Sequence, residues 1–217
     1  MTAKIRKART TCFSKGIVLR HRSSLREFEP ILKAWIRVLV SYSRRNPVKD
    51  LPWWYRERPQ VGLLAAAAWR AGGGALEEWK TEKGTRLQRS YGRNDLWIFR
   101  GKRQWFIEAK HAWCDILPNG VSQTSVKKMQ SELNAAKSAA RKLNQDCHQR
   151  VAALFVSPIW KPKRSGPRRF DWAVSRWKAA CRKLQPDACA FLWHSPDEKN
   201  GDKRVLFGCS LLLTSAD

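Results

Sequence analysis

The chain has 217 residues, with 43 Lys and Arg against 18 Asp and Glu, and a formal net charge of +25. That excess favours a polyanionic partner, with nucleic acid ahead of an anionic membrane surface, and says little about fold. No apolar run is long enough to span a bilayer and no basic amphipathic helix is sustained, so membrane insertion is not expected.

The first 26 residues hold eight Lys and Arg and no acid. They read as a basic arm over residues 1–24, with an organelle transit peptide or a solvated tail as the other readings, while the lack of an early apolar core argues against a secretory signal. Residues 25–217 are expected to form one domain. Phe28, Ile31, Leu32, Trp35, Leu39 and Tyr42 recur at helical spacing and predict a first helix over residues 25–43. The stretch from Asn46 to Pro59 has three prolines and Trp53-Trp54, which predicts a loop. A second helix is expected from Gln60, broken at Gly72-Gly73-Gly74 and resuming from Ala75 to Lys80.

Two apolar runs then flank Gly101-Lys102, the signature of a β-hairpin with a type II′ turn. Trp97, Phe99 and Phe106 fall on one side and Leu96, Ile98, Trp105 and Ile107 on the other, which predicts a central hairpin covered by helices. His111 to Leu117 reads as a short third strand before the turn at Pro118-Asn119-Gly120. Ser125 is a candidate N-cap for a helix with Val126, Met129, Leu133, Ala136, Ala140 and Leu143 on one side. Val151 to Val156 suits a strand buried on both faces. A basic loop from Lys161 to Arg169 precedes a helix carrying Phe170, Val174, Trp177, Cys181 and Leu184, followed by strands over residues 188–193 and 205–213. The expected fold is α/β, a central mixed sheet with a hairpin core flanked by helices.

The six cysteines are scattered without a CxxC, which argues against a zinc ribbon or a disulfide framework and suits buried thiols in a reducing compartment. Cys181, Cys189 and His194 match no standard metal module. Of the twelve tryptophans, Trp35, Trp69, Trp97, Trp105 and Trp177 lie on apolar periodicities and are expected in the core. Trp53, Trp54 and Trp160 stand beside basic loops, where packing still outweighs base stacking.

The hairpin carries the chemistry. Its turn sets Arg100 opposite Arg103, and therefore Asp95 opposite Glu108. Directly opposed residues have Cβ atoms roughly 4.5 to 5.5 Å apart, where like charges repel. A divalent cation offsets that repulsion. Glu108 and Lys110 point to one face of their strand while Ala109 points away, so two carboxylates and a lysine gather at one strand end. Hard oxygen donors of this kind suit Mg²⁺. Of the three [DE]xK tripeptides in the chain, Glu78-Trp79-Lys80, Glu108-Ala109-Lys110 and Asp197-Glu198-Lys199, only the middle one ends an apolar strand with an acid facing it.

Asp95, twelve intervening residues, and Glu108-Ala109-Lys110 resemble the PD-(D/E)XK nuclease superfamily, with Asn94 where that family usually has proline. The resemblance spans about residues 60–156, the expected nuclease-like core, with a helical N-terminal and an α/β C-terminal addition. It implies a restriction-endonuclease-like fold and a metal-dependent endonuclease hydrolysing DNA phosphodiester bonds. Asp95 and Glu108 would ligate Mg²⁺, or Mn²⁺ in its place, with help from the Ala109 carbonyl, and Lys110 would position or activate water. The family often adds an upstream helix glutamate, for which Glu78 is the choice here, with Glu77, Glu27 and Glu29 behind it. His111, Gln123, Lys127 and Gln130 are better read as packing or solvated residues than as substrate contacts. Lys161, Lys163, Arg164, Arg168 and Arg169 are the expected phosphate-contacting residues. The alternatives are a non-catalytic DNA- or RNA-binding module on the same fold, a ribosome-associated protein, and a solvated ion cluster in which Arg93 neutralises the acids. A homodimer is common among resolvases and restriction enzymes, and a cytoplasmic or nucleoid-associated location fits such a role.

Overall fold

A computed structural model describes residues 13–21, 23–46, 51–85, 88–143, 149–160, 168–195 and 205–217, with the side chains of residues 81–90, 168 and 169 left aside. The strands are β1 (Phe13–Leu19), β2 (Gly74–Thr85), β3 (Gln88–Arg100), β4 (Arg103–Leu117), β5 (Gly120–Val121), β6 (Gln149–Trp160), β7 (Ala188–His194), β8 (Val205–Leu206) and β9 (Gly208–Ser215). The helices are α1 (Glu29–Arg45), α2 (Glu57–Arg70), α3 (Gln123–Arg141) and α4 (Arg168–Lys183). The strands form one mixed sheet in the order β1-β7-β9-β6-β4-β3-β2, with β5 paired to β4 and β8 to β6. β4 and β6 run parallel at its centre. The α/β architecture is therefore as expected.

The sheet separates two apolar cores. On one face Phe28, Ile31, Leu32, Trp35 and Leu39 of the first helical region and Leu64 and Ala68 of α2 pack on Leu96, Ile98, Trp105, Ile107, Ala153 and Phe155. On the other face Met129, Leu133 and Ala136 of α3 and Val174, Trp177 and Cys181 of α4 meet Ala112, Cys114, Leu154, Val156 and Leu212. β6 alternates between these cores, which is why Val151 to Val156 is an unbroken apolar run. Cys114, Cys181, Cys189 and Cys209 are buried free thiols.

Several elements differ from the sequence expectation. Phe13–Leu19 is an edge strand antiparallel to β7, not part of an arm; residues 1–12 lie outside the described set. Ala75 to Lys80 continues β2 instead of resuming a helix. The glycine triplet explains this: Gly73 N–H donates to Ala68 O at 3.0 Å and Gly72 N–H to Trp69 O at 3.2 Å, the paired bonds of a Schellman motif that ends α2. Gly72 takes φ +77° there, and a Cβ on Gly73 would stand 2.2 Å from the Phe99 carbonyl oxygen. The chain thus leaves α2 directly onto β3. His111 to Leu117 is the continuation of β4, paired with β6 along its length. Ser122, not Ser125, precedes α3; buried Ser125 instead accepts the Asp115 amide on its hydroxyl at 3.0 Å. β2 is the sheet edge, so the hairpin is less central than expected.

Candidate functional site

The hairpin register is the one its turn dictates: Arg100 pairs with Arg103, and the ladder runs back to Leu96 with Ile107. Gly101 has φ +59°, and Lys102 is not among the residues with positive φ, in keeping with a II′ turn. Asp95 and Glu108 are the next pair in this register, just past the last ladder rung. There the Asn94 side-chain oxygen accepts the Leu96 amide at 2.9 Å, an Asx bond two residues on that turns the strand locally. Proline bends a strand by lacking an N–H; asparagine does so here by capturing one.

Asp95 is released from the ladder on both sides. In the β2–β3 pairing Glu77 meets Leu96 and Trp79 meets Asn94, and the intervening Glu78–Asp95 pair is skipped. The freed Asp95 carboxylate turns to β4 and accepts the Ala109 amide at 2.7 Å, a short charge-assisted bond. Glu108, beside that peptide, is only 4% exposed, which removes it from any solvated surface cluster. Lys110 Nζ donates to the Ala109 carbonyl at 2.7 Å and reaches Glu57 Oε2 at 3.4 Å.

Glu57 is the functional candidate missed in the sequence. It opens α2, and burial raises its carboxyl above the ordinary range, Lys110 opposing that shift and Asp95 adding to it. Glu132 of α3 adds a smaller push in the same direction. Glu57, Asp95 and Lys110 thus form one electrostatic group at the end of the hairpin. The signal was available: Pro59 is tolerated in a first helical turn, so the helix could begin before it, at Glu57.

Glu78, the sequence choice for the helix glutamate, stands on β2 with φ +50°. Its carboxylate is held by Arg58 and by Arg93, the latter at 2.8 Å. It is a strand acid already paired with two guanidinium groups, and Arg93 serves it. Glu77 is likewise on β2, and Glu27 pairs with Arg103 at the turn end of the hairpin. His111 packs edge-on to Trp113 and lies 3.1 Å from the Ser157 hydroxyl; burial, with nearby Arg56, lowers its pKa to about 4. Gln123, Lys127 and Gln130 are exposed on α3. Lys161, Lys163 and Arg164 lie outside the described residues, as do the side chains of Arg168 and Arg169 at the start of α4.

No group of three or more His, Cys, Asp and Glu side chains among the described residues is arranged to hold a metal ion. The oxygen groups that the sequence reading assigns to a metal are the carboxylates of Asp95 and Glu108 and the Ala109 carbonyl, which Lys110 Nζ holds at 2.7 Å; Mg²⁺ takes hard oxygen donors of this kind with water and phosphate. Asp95 keeps one oxygen beyond its bond to the amide. Comparison with known protein families, characterised proteins and solved structures finds no match. Among the described residues no helix is long and apolar enough to cross a membrane.

Proposed function

We propose that the chain is a metal-dependent endonuclease that hydrolyses DNA phosphodiester bonds. The observation that carries this reading is the Asp95 carboxylate fixed on the Ala109 amide, where the β3–β4 ladder ends midway along β4, beside Glu108 and Lys110, with Glu57 of α2 within 3.4 Å of Lys110. Asp95, Glu108 and the Ala109 carbonyl would hold Mg²⁺. When bound, that ion lowers the pKa of its water and neutralises charge building on the phosphate. Lys110 gives up the Ala109 carbonyl and turns its ammonium to the scissile phosphate, stabilising charge that develops there. Glu57 holds Lys110 from the other side, at 3.4 Å.

The excess of positive charge supports a nucleic-acid substrate. The test is incubation of plasmid, branched and single-stranded DNA with Mg²⁺ or Mn²⁺, comparing the native chain with Asp95→Asn and Lys110→Ala. Cleavage lost in both variants is expected; equal cleavage by all three proteins, or by none, defeats the proposal. A second reading, a non-catalytic nucleic-acid-binding module, draws on the lack of a third acidic ligand among the described residues. Calorimetric titration of Mg²⁺ or Mn²⁺ with DNA present separates the two, since the module binds DNA without taking up metal. Competition between RNA and DNA decides the polymer.

A further inference from the structure

Next to the acid and lysine group the sheet carries aromatic rings that, among the described residues, stay partly open to solvent, with Trp69 of α2 reaching Phe99 at their rim. α1 and α2 cover the face of β3 and β4 that bears Leu96, Ile98, Trp105 and Ile107, and on the opposite face α3 packs on β4 and β6. Beyond the reach of α3, Leu76 is 47% exposed, Trp79 39%, and Trp69 at the rim 60%. Trp97 and Phe99 are half-buried, and Phe106 forms the floor.

The rings are laid at shallow angles. Trp97 and Phe106 are inclined by 22° with centroids 6.2 Å apart, Trp79 and Trp97 by 31° at 6.0 Å, and Trp97 and Phe99 by 41° at 5.2 Å. Such angles are not peculiar to the strip, since buried Trp35 and Phe155 meet at 37° and, at the rim, Trp69 meets Phe99 at 75°, while buried Phe28 on Trp105 and Trp177 on Phe191 meet at 85° and 87°. What sets the strip apart is solvent exposure, 39% at Trp79 and 60% at Trp69, which leaves ring surface open to a stacking partner. The Trp97 indole is further fixed by donating to Gln104 Oε1 at 3.2 Å. Phe106 and Glu108 are alternate residues on one face of β4, so the tiled strip runs straight into the candidate site.

We infer that this strip is a stacking platform for the unpaired bases of a nucleic-acid strand, which it leads toward Glu108 and Lys110. Exposed Lys80 and Arg93 lie next to it, and a chain of net charge +25 opposes a second copy of itself while attracting a polyanion. Paired bases in a duplex already spend their π faces on one another, whereas an unpaired strand offers them, and stacking on aromatic side chains is tolerant of sequence. The platform rests on the nucleic-acid reading above and narrows it to substrates with a single-stranded or branched segment beside the cleaved bond.

The experiment uses the full chain in chelator, so that binding is read without cleavage. Anisotropy of a labelled oligothymidylate and of a duplex is compared for the native chain, Trp79→Ala and Trp79→Phe. The native chain is expected to prefer the single strand, and Trp79→Ala to weaken that binding roughly 5- to 150-fold. Duplex affinity should stay within about twofold and Trp79→Phe should restore most of the loss, as base–aromatic stacking predicts. Photocrosslinking of the native chain to an oligonucleotide carrying 5-iododeoxyuridine, mapped by mass spectrometry, is expected to mark Trp79 or Trp97 and does not depend on any variant folding. Equal affinity for single strand and duplex, equal weakening of both in Trp79→Ala, or crosslinks only elsewhere overturns the proposal. So does sedimentation showing a native dimer that Trp79→Ala splits without loss of strand binding, because the strip then belongs to a second copy. A chain that binds and crosslinks but never cleaves keeps the platform and loses the nuclease; one that cleaves without preferring single strands does the reverse.

Discussion

Replacing Asp95 by alanine and by asparagine separates what its carboxylate does for the fold from what it does for chemistry. The carboxylate accepts the Ala109 amide at 2.7 Å, and Ala109 is only 1% exposed, so in Asp95→Ala that N–H has little access to water. Hydrogen bonds to charged groups contribute about 1.5 to 3 kcal/mol, and a stranded buried donor costs a similar amount. For a domain of this size each kcal/mol shifts the melting temperature by roughly 2 to 4 °C, which gives a loss of about 3 to 12 °C. Asp95→Asn keeps an oxygen that can accept the same N–H and gives up only the charge assistance, for a loss of about 1 kcal/mol or less. Thermal melts with and without Mg²⁺ read both effects. The native chain should gain stability from the ion by mass action, and neither variant should. Two results refute the reasoning: Asp95→Ala melting within about 1 °C of the native chain, or Asp95→Asn falling as far as Asp95→Ala.

Three further outcomes are expected. Lys110→Ala should lower the cleavage rate by at least about 100-fold, the scale of a lost charge-stabilising donor, while DNA affinity measured by anisotropy stays within about threefold. His111 has a folded pKa of about 4, below its ordinary 6.5, so between these values the unfolded chain binds more protons and stability falls as the pH drops from 6.5 toward 4. Urea titrations across that window should show the native chain losing at most about 3 kcal/mol more than His111→Gln, and parallel curves for the two would show that His111 does not titrate in this way. Gly73→Ala should cost about 1 to 3 kcal/mol through overpacking against the Phe99 carbonyl, whereas Gly16→Ala, with nothing within 4 Å of its added Cβ, should melt within about 1 °C of the native chain.

The hairpin was legible because one residue fixes it: with Gly101 leading a two-residue turn, the ladder from Arg100–Arg103 back to Leu96–Ile107 follows from counting, and Asp95 and Glu108 lie one step beyond it. Apolar residues at helical spacing likewise marked α1, α3 and α4, and an unbroken apolar run marked β6. Other elements were hidden by local chemistry that long-range packing overrules. Ala75 to Lys80 contains good helix formers, yet pairing with β3 makes it a strand, because intrinsic propensity is worth only tenths of a kcal/mol per residue. Pro59 reads as a breaker, and that reading concealed the start of α2 and with it Glu57. Trp69 shares the helical period of its neighbours but stands at the rim of α2, 60% exposed, since periodicity gives a direction and not the width of what covers it. β1 was lost among basic residues because an edge strand buries too little of itself to show a firm pattern.

The glycines that end α2 also set where Glu57 stands. That helix is pinned at one end by the bonds from Gly72 and Gly73 and by Arg100, whose Nε donates to the Ala71 carbonyl at 2.9 Å, and it presents Glu57 to Lys110 at the other. Fourteen residues at 1.5 Å each make a lever of roughly 20 Å. A tilt of about 3° at the pinned end swings the carboxylate by about 1 Å, a displacement that can change a reaction rate by roughly 100-fold. Substitutions at the glycine fulcrum should therefore move Glu57 relative to Lys110 as well as cost stability.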